Sequence, residues 1–218
     1  MPHVLVEGPW EGDTLPVAET TRHHLERVLR LAPGAAVTYT DGAGRIGEGL
    51  LDPAGISRGR ERTEPERESG SVTVAVSPPR DSNRARFVVE KLGELGVDRL
   101  WWLRAERTEG RPPRDEKAHA WAVAALQQSR GSRLLQVSGT VTPAEVAARG
   151  PALVAVPGAA PLAGLDVAGP AVVCIGPEGG FAPEELPAAM HRVGLGSRVL
   201  RVETAAVVAA TLLVFRRR

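Results

Sequence analysis

The apolar positions of this 218-residue chain change their period near residue 70. Before that point they form short runs divided by turn residues: Val4-Leu5-Val6, Leu15-Pro16-Val17, Ala36-Val37-Thr38-Tyr39 and Ile46-Gly47-Glu48-Gly49-Leu50-Leu51. Such runs read as strands, and Asp41-Gly42 between the last two is a hairpin signal. One helical segment, Thr20 to Arg30, interrupts them, with Leu25, Val28 and Leu29 as its apolar stripe and Arg22, Arg27 and Arg30 left to solvent. The pattern predicts a small barrel with one helix. Asp52 to Gly70, rich in arginine, glutamate, proline and glycine and without apolar periodicity, reads as a mobile loop or linker.

From Ser71 onward, apolar runs alternate with helical patterns. Val72 to Val76, Leu100 to Leu103, Ala152 to Val156 and Ala171 to Ile175 read as buried strands. Arg84 to Leu95, ending at Gly96, reads as a helix, as do Asp115 to Arg130, Pro143 to Arg149, Pro183 to Val193 and Thr204 to Phe215. Strands alternating with helices argue for an α/β domain with a mostly parallel sheet covered on both faces. The expected division is a barrel domain over 1–70 and an α/β domain over 71–218. No G-x-G-x-x-G fingerprint follows the first strand of the second part, so a dinucleotide-binding Rossmann domain fits poorly.

Composition narrows the class. A hydrophobic content of 43% supports a sizeable core, and no segment is long and apolar enough to span a bilayer, so a cytoplasmic protein is expected. The single cysteine, Cys174, lies inside an apolar run and reads as a small buried hydrophobe, leaving neither a disulfide framework nor a cysteine cluster for zinc. The net charge of +1 hides an asymmetry: residues 1–70 carry eight arginines and twelve acids, so the remainder is the basic part. That suits a polyanionic partner without demanding one.

The densest candidate chemistry is Ile175-Gly176-Pro177-Glu178-Gly179-Gly180-Phe181. It follows a buried run and precedes a proline and two acids, a pattern that ends a strand in a glycine loop and restarts the chain as a helix. Bare backbone at the carboxyl end of a parallel strand can approach a ligand closely. An ordinary strand-to-helix turn has the same pattern.

Several segments together resemble one enzyme family. They are His23 to Gly34, Lys91-Leu92-Gly93-Glu94-Leu95-Gly96-Val97, Glu106-Arg107-Thr108, Gln127-Gln128-Ser129-Arg130, Ile175 to Phe181, and Leu195 to Ala205. Their order and spacing are similar to those of 16S ribosomal RNA uridine N3-methyltransferases, over nearly the full chain. The resemblance implies a PUA-like RNA-binding barrel followed by a SPOUT domain, whose deep trefoil knot holds S-adenosylmethionine. It also implies a homodimer and, as partner, 16S rRNA or the small ribosomal subunit. Cofactor contacts fall by resemblance on Gly176, Glu178, Gly179, Leu195, Gly196, Val199 and Leu200. No metal is implied.

Methylation at uracil N3 needs a group to accept the imide proton and a donor for charge spreading onto the flanking carbonyls. Arg201 and Glu203, two apart beside the second loop, are the candidates for oxygen clamp and proton acceptor; mutual pairing or capping of the final helix is the structural alternative. Arg107 is a candidate for holding a phosphate or the flipped base. Arg22, Arg27 and Arg30 are candidates for the RNA backbone, with His24 expected to pack inside. The chain departs from the family pattern at Gly93, Gln127 and Val202, at Arg80, which stands one place from the expected basic position, and at His3-Val4-Leu5, where an arginine and two aromatics are usual. Those departures keep open a non-catalytic RNA-binding or ribosome-assembly protein, or a methyltransferase with another RNA target.

Overall fold

The computed structural model describes residues 1–65, 70–166 and 169–216. The chain divides into two compact units, Met1–Glu66 with Leu126–Leu134, and Arg67–Ala125 with Leu135–Arg218.

The first unit is built on a five-stranded sheet. Its strands are β1 (His3–Leu5), β2 (Thr14–Leu15), β3 (Ala36–Thr40), β4 (Arg45–Asp52) and β5 (Gly55–Thr63), in the order β1-β3-β4-β5-β2. Only the β1–β3 pair is parallel; β3, β4 and β5 form an antiparallel meander, and the expected hairpin at Asp41-Gly42 joins β3 to β4. Val4, Leu15, Leu25, Val37, Tyr39 and Ile56 close the core, with Trp10 packed edge-on to Tyr39 at 5.0 Å between ring centroids. Leu126–Leu134 joins this unit through backbone acceptors: the His3 Nε2–H donates to Gly131 O (2.9 Å), Thr40 Oγ1 to Ser132 O (3.0 Å) and Leu134 N to Gly42 O (2.8 Å). Burial, the largest influence, lowers the pKa of His3.

Three expectations fail here. The charged stretch after Asp52 holds β5, the longest strand of the unit, while residues 66–69 lie outside the described residues. Its charges had masked it: Arg58 and Glu61 are not solvated but pair with each other and with Tyr39 and Arg45 across the sheet. The helix, for its part, starts as α1 (Glu19–His23) and continues over His24–Val28 as a π-turn, with Leu29 N bonded to His24 O at 3.0 Å. The wider turn rotates the stripe, so only Leu25 is buried, while Val28 is 60% exposed and Leu29 faces solvent. His24 is exposed as well, not packed inside.

The second unit carries a six-stranded, wholly parallel sheet. Its strands are β6 (Val72–Val76), β7 (Arg99–Leu103), β8 (Gln136–Val141), β9 (Leu153–Ala155), β10 (Ala171–Ile175) and β11 (His191–Val193). Their order is β11-β9-β10-β6-β7-β8. The chain grows outward from β6 to β8, then crosses to the other side and inserts β10 beside β6. That reversal creates a crevice at the carboxyl ends of the strands, where α/β proteins bind ligands. All five residues of β6 are buried, as its central place requires.

The helices are α2 (Ser82–Glu94), α3 (Asp115–Ser129), α4 (Pro143–Ala148) and α5 (Val202–Val214). Helix α2 starts where Asp81 accepts a hydrogen bond from Asn83 N (2.8 Å), and buries Ala85, Val88, Val89 and Leu92. It packs against α5, which also lies on β6 and β10. Two further corrections arise. Pro183–Val193 is not a helix: a 3₁₀ turn spans Pro183–Glu185 and β11 begins at His191. Pro187 lacks the amide a helix would need there and turns Leu186 extended. Strand β8 was not expected, because its alternation is polar and mostly exposed at the sheet edge. No helix among the described residues is long and apolar enough to cross a membrane. The basic run Arg216-Arg217-Arg218, a candidate for added electrostatic attraction or a frayed end, extends to positions 217 and 218, outside the described residues.

Candidate active site

Two segments meet at the carboxyl ends of β9 and β10. The first is the glycine loop after β10. Gly176 lies so close to the Phe181 ring that a Cβ would stand 2.6 Å from Cε2, so only a bare Cα lets the loop fold over that ring. Gly180 N closes the turn onto Pro177 O (2.9 Å). The second segment follows β11, where Gly196 has φ +145°, a backbone state that other residues rarely adopt. From there the chain bends at Ser197 and Arg198 and enters α5 through Arg201, whose backbone is extended.

Between these segments lies a cavity of about 430 Å³. Of the seven expected cofactor residues, Gly176, Glu178, Leu195, Gly196, Val199 and Leu200 line it. Gly179 does not, but its carbonyl accepts a hydrogen bond from Arg107 Nη1 at 2.9 Å. Sequence reasoning did not place in the wall the end of β9 at Ala155, Val156 and Pro157, or Arg192, and gave no cofactor role to Phe181 and Arg198 within the motifs it singled out. Ala155–Pro157 carry no chemistry and are legible only once β9 is known to neighbour β10.

The two expected catalytic charges do not pair in a side-chain bond. Arg201 stands at the cap position of α5, exposed and without a side-chain cap. Glu203, only 13% exposed, accepts both Arg84 Nε (3.0 Å) and Arg84 Nη2 (2.6 Å). Burial pushes the Glu203 carboxyl up, but the Arg84 hydrogen bonds, its own backbone amide and the charges of Arg84 and Arg201 outweigh this and hold it below the ordinary range. The same Arg84 Nη2 lies 3.2 Å from Glu178 Oε1, and Glu178 is 54% exposed. Arg84 was not singled out from sequence. One signal was there: a cation in the first turn of α2 opposes the helix dipole, so it needs an acidic partner.

The loop is braced from β7 too. Glu106 N donates to Glu185 Oε2 and Ala182 N to Glu185 Oε1, both at 2.7 Å. Cys174, on the strand leading into the loop, is fully buried, and burial pushes its thiol up to about 12, so it packs as a hydrophobe. Among the described residues no group of histidine, cysteine and acids could hold a metal ion. The expected RNA contacts lie in the first unit: Arg22 pairs with Glu26 and donates to Asp52 O, both at 3.2 Å, while Arg27 and Arg30 are exposed.

Residues 66–214 match the model of the RNA methyltransferase domain family. Ribosomal RNA small subunit methyltransferase E of Mycobacterium bovis is 32% identical over 213 residues, covering 85% of this chain and 80% of the relative. Among solved structures, a probable rRNA-methyltransferase from Porphyromonas gingivalis superposes with a TM-score of 0.85 at 26% identity, covering 100% of this chain and 98% of that one. Ribosomal RNA small subunit methyltransferase E from Neisseria gonorrhoeae, bound to S-adenosyl methionine, does so with 0.84 at 25%, covering 98% and 96%. The fold is thus a PUA-like barrel with a SPOUT-type α/β domain. With the family model on the domain that carries the cavity and a relative of this identity matched over most of its length, the chain belongs to the ribosomal RNA small subunit methyltransferase E family of RNA methyltransferases.

Proposed function

We propose that this protein transfers a methyl group from S-adenosylmethionine to N3 of a uridine in 16S ribosomal RNA. The observation that carries the reading is the cavity itself. Its 430 Å³ falls within the roughly 300–1,000 Å³ of small-molecule sites. Its wall is mostly apolar and backbone, which suits an adenine ring held by amides and carbonyls. Gly176, Leu195, Gly196 and Leu200 would hold the nucleoside, and the bound cofactor would supply an electrophilic methyl on a sulfonium.

The chain's own work is to orient and to manage charge. Arg201, between the lining residues Leu200 and Val202, is free to donate to a uracil carbonyl and stabilise the anion formed as the N3 proton leaves. Glu203 is the weaker candidate for taking that proton, because its forked bond to Arg84 lowers its basicity. Arg107 braces the glycine loop and leaves the rest of its fork for a phosphate or an extruded base. Arg22, Arg27 and Arg30 present cations for the RNA backbone. The reading includes the trefoil knot, a cytoplasmic site of action and a homodimer.

Mass spectrometry of ribosomal RNA from a deletion strain tests the function. Loss of one N3-methyluridine, restored by the wild-type gene but not by Arg201→Ala, is expected. Unchanged RNA overturns the substrate, and a lost methyl at another atom reassigns it.

A further inference from the structure

The glycine loop and the first turn of α5 both border the cavity. One side chain touches both. Arg84, rising from the first turn of α2, places a fork on Glu203 of α5, and from the same Nη2 reaches Glu178 on the loop. The three groups differ in freedom. Glu203 is enclosed and held by two bonds, Arg84 is 28% exposed, and Glu178 is half open to the cavity. Two carboxylates on one guanidinium nitrogen repel each other as soon as that nitrogen is removed.

We propose that Arg84 is a positioning residue of the cofactor site, a charge clamp that holds the Glu178 loop against the amino end of α5. This rests on the cavity being the S-adenosylmethionine site, and it reassigns Glu203 from proton acceptor to anchor. Arg84 does not line the cavity; it acts on the site through Glu178 and Glu203. The clamp is asymmetric. Its Glu203 arm, short and forked, persists, while its Glu178 arm, single and longer, is the one that yields when the loop opens to admit a ligand.

Two readouts on the full-length protein test the clamp. Hydrogen exchange needs no ligand: Arg84→Ala is expected to speed exchange at the amides of 178–180 and of the first turn of α5 together, leaving β6 and β10 protected. Calorimetry with S-adenosylmethionine is expected to show about ten- to hundredfold weaker binding, the scale of a misplaced binding group. Arg84→Lys, which keeps the charge without the fork, should fall between. The decisive variant is Arg84→Ala with Glu178→Gln: removing the repulsion should recover part of the affinity lost by Arg84→Ala, which a merely structural arginine would not allow. Exchange unchanged at 178–180, or a double variant no better than the single one, overturns the clamp. Failure of the wild-type protein to bind S-adenosylmethionine overturns the cofactor reading instead, and the exchange result still decides the coupling.

Discussion

Two arginine–carboxylate clusters, one in each unit, use the same groups for different ends. In the barrel, Glu61 is 14% exposed and accepts from Tyr39 Oη (2.9 Å), Arg45 Nη2 (2.5 Å) and both Nε and Nη2 of Arg58 (2.7 and 3.0 Å). One acid thus has donors from three residues, and Arg45 in turn stacks on Trp10 at 4.7 Å. In the α/β unit the ratio is reversed: one arginine serves two acids, and the second acid is half exposed beside a cavity. A carboxylate with its acceptors filled can only hold structure together. A guanidinium divided between a firm partner and an open one can hold a loop and release it.

The largest effect that separates the two clusters should come from Glu61→Ala. It removes the shared acceptor of two arginines and a tyrosine hydroxyl in a part-exposed site, and losing hydrogen bonds to a charged group there costs about 1–3 kcal/mol. Denaturant unfolding should report that loss, while S-adenosylmethionine affinity measured calorimetrically stays at the wild-type value. A matching drop in affinity would mean the barrel cluster is not purely structural. Acid titration sharpens the contrast. Hydrogen bonds from Arg58, the largest influence, hold the Glu61 carboxyl at about 2, against burial, which pushes it up. Its folded-state pKa lies below the ordinary 4.5, so its contribution is fully present above that pH and is lost as the pH falls from there toward about 2. Unfolding followed between pH 5 and 2 should lose this component in the wild type but not in Glu61→Gln.

Next in size is the glycine loop. Gly176→Ala puts a methyl where the Phe181 ring stands, 2.6 Å from Cε2, and the ring is part of the cavity wall. The expected result is at least tenfold weaker S-adenosylmethionine binding, about 1.4 kcal/mol, with the unfolding midpoint of the barrel unit unmoved. Unaltered affinity would show that the ring has room to turn away, and that the loop does not fix the cavity.

These contrasts also explain what could be read from the chain. The parallel strands β6, β7, β9 and β10 were legible because burial on both faces makes their apolar runs continuous. The glycine loop was legible because its residue types are local requirements. Strand β5 was not, since its Glu61 is held by Arg58 of the same strand and by Arg45 across the sheet on β4, and one sequence shows charge without showing partners. The same blindness hid Arg84: its acids lie 94 and 119 residues away, joined to it only by the sheet order that returns β10 and α5 to the side of α2. The segment after Pro183 misled for a different reason, as Glu184, Glu185 and Leu186 favour a helix that Pro187 then stops after one turn.

The smallest and most discriminating change is Arg107→Ala. Its one described bond, to the Gly179 carbonyl at 2.9 Å, lies on an exposed side chain, and such a hydrogen bond from a charged donor contributes about 1 kcal/mol or less in water-accessible surroundings. If Arg107 braces the loop as Arg84 does, S-adenosylmethionine binding should weaken by roughly threefold to fivefold in the absence of any RNA, and ribosomal RNA binding should change only in proportion. If its role is to grip RNA, the cofactor titration should be unchanged while the affinity for ribosomal RNA drops and its salt dependence becomes shallower, as expected when one phosphate contact is removed. The two titrations, run on one variant, assign Arg107 either to the glycine loop alone or to the substrate, because a brace weakens the cofactor titration without flattening the salt slope and a phosphate contact does the reverse.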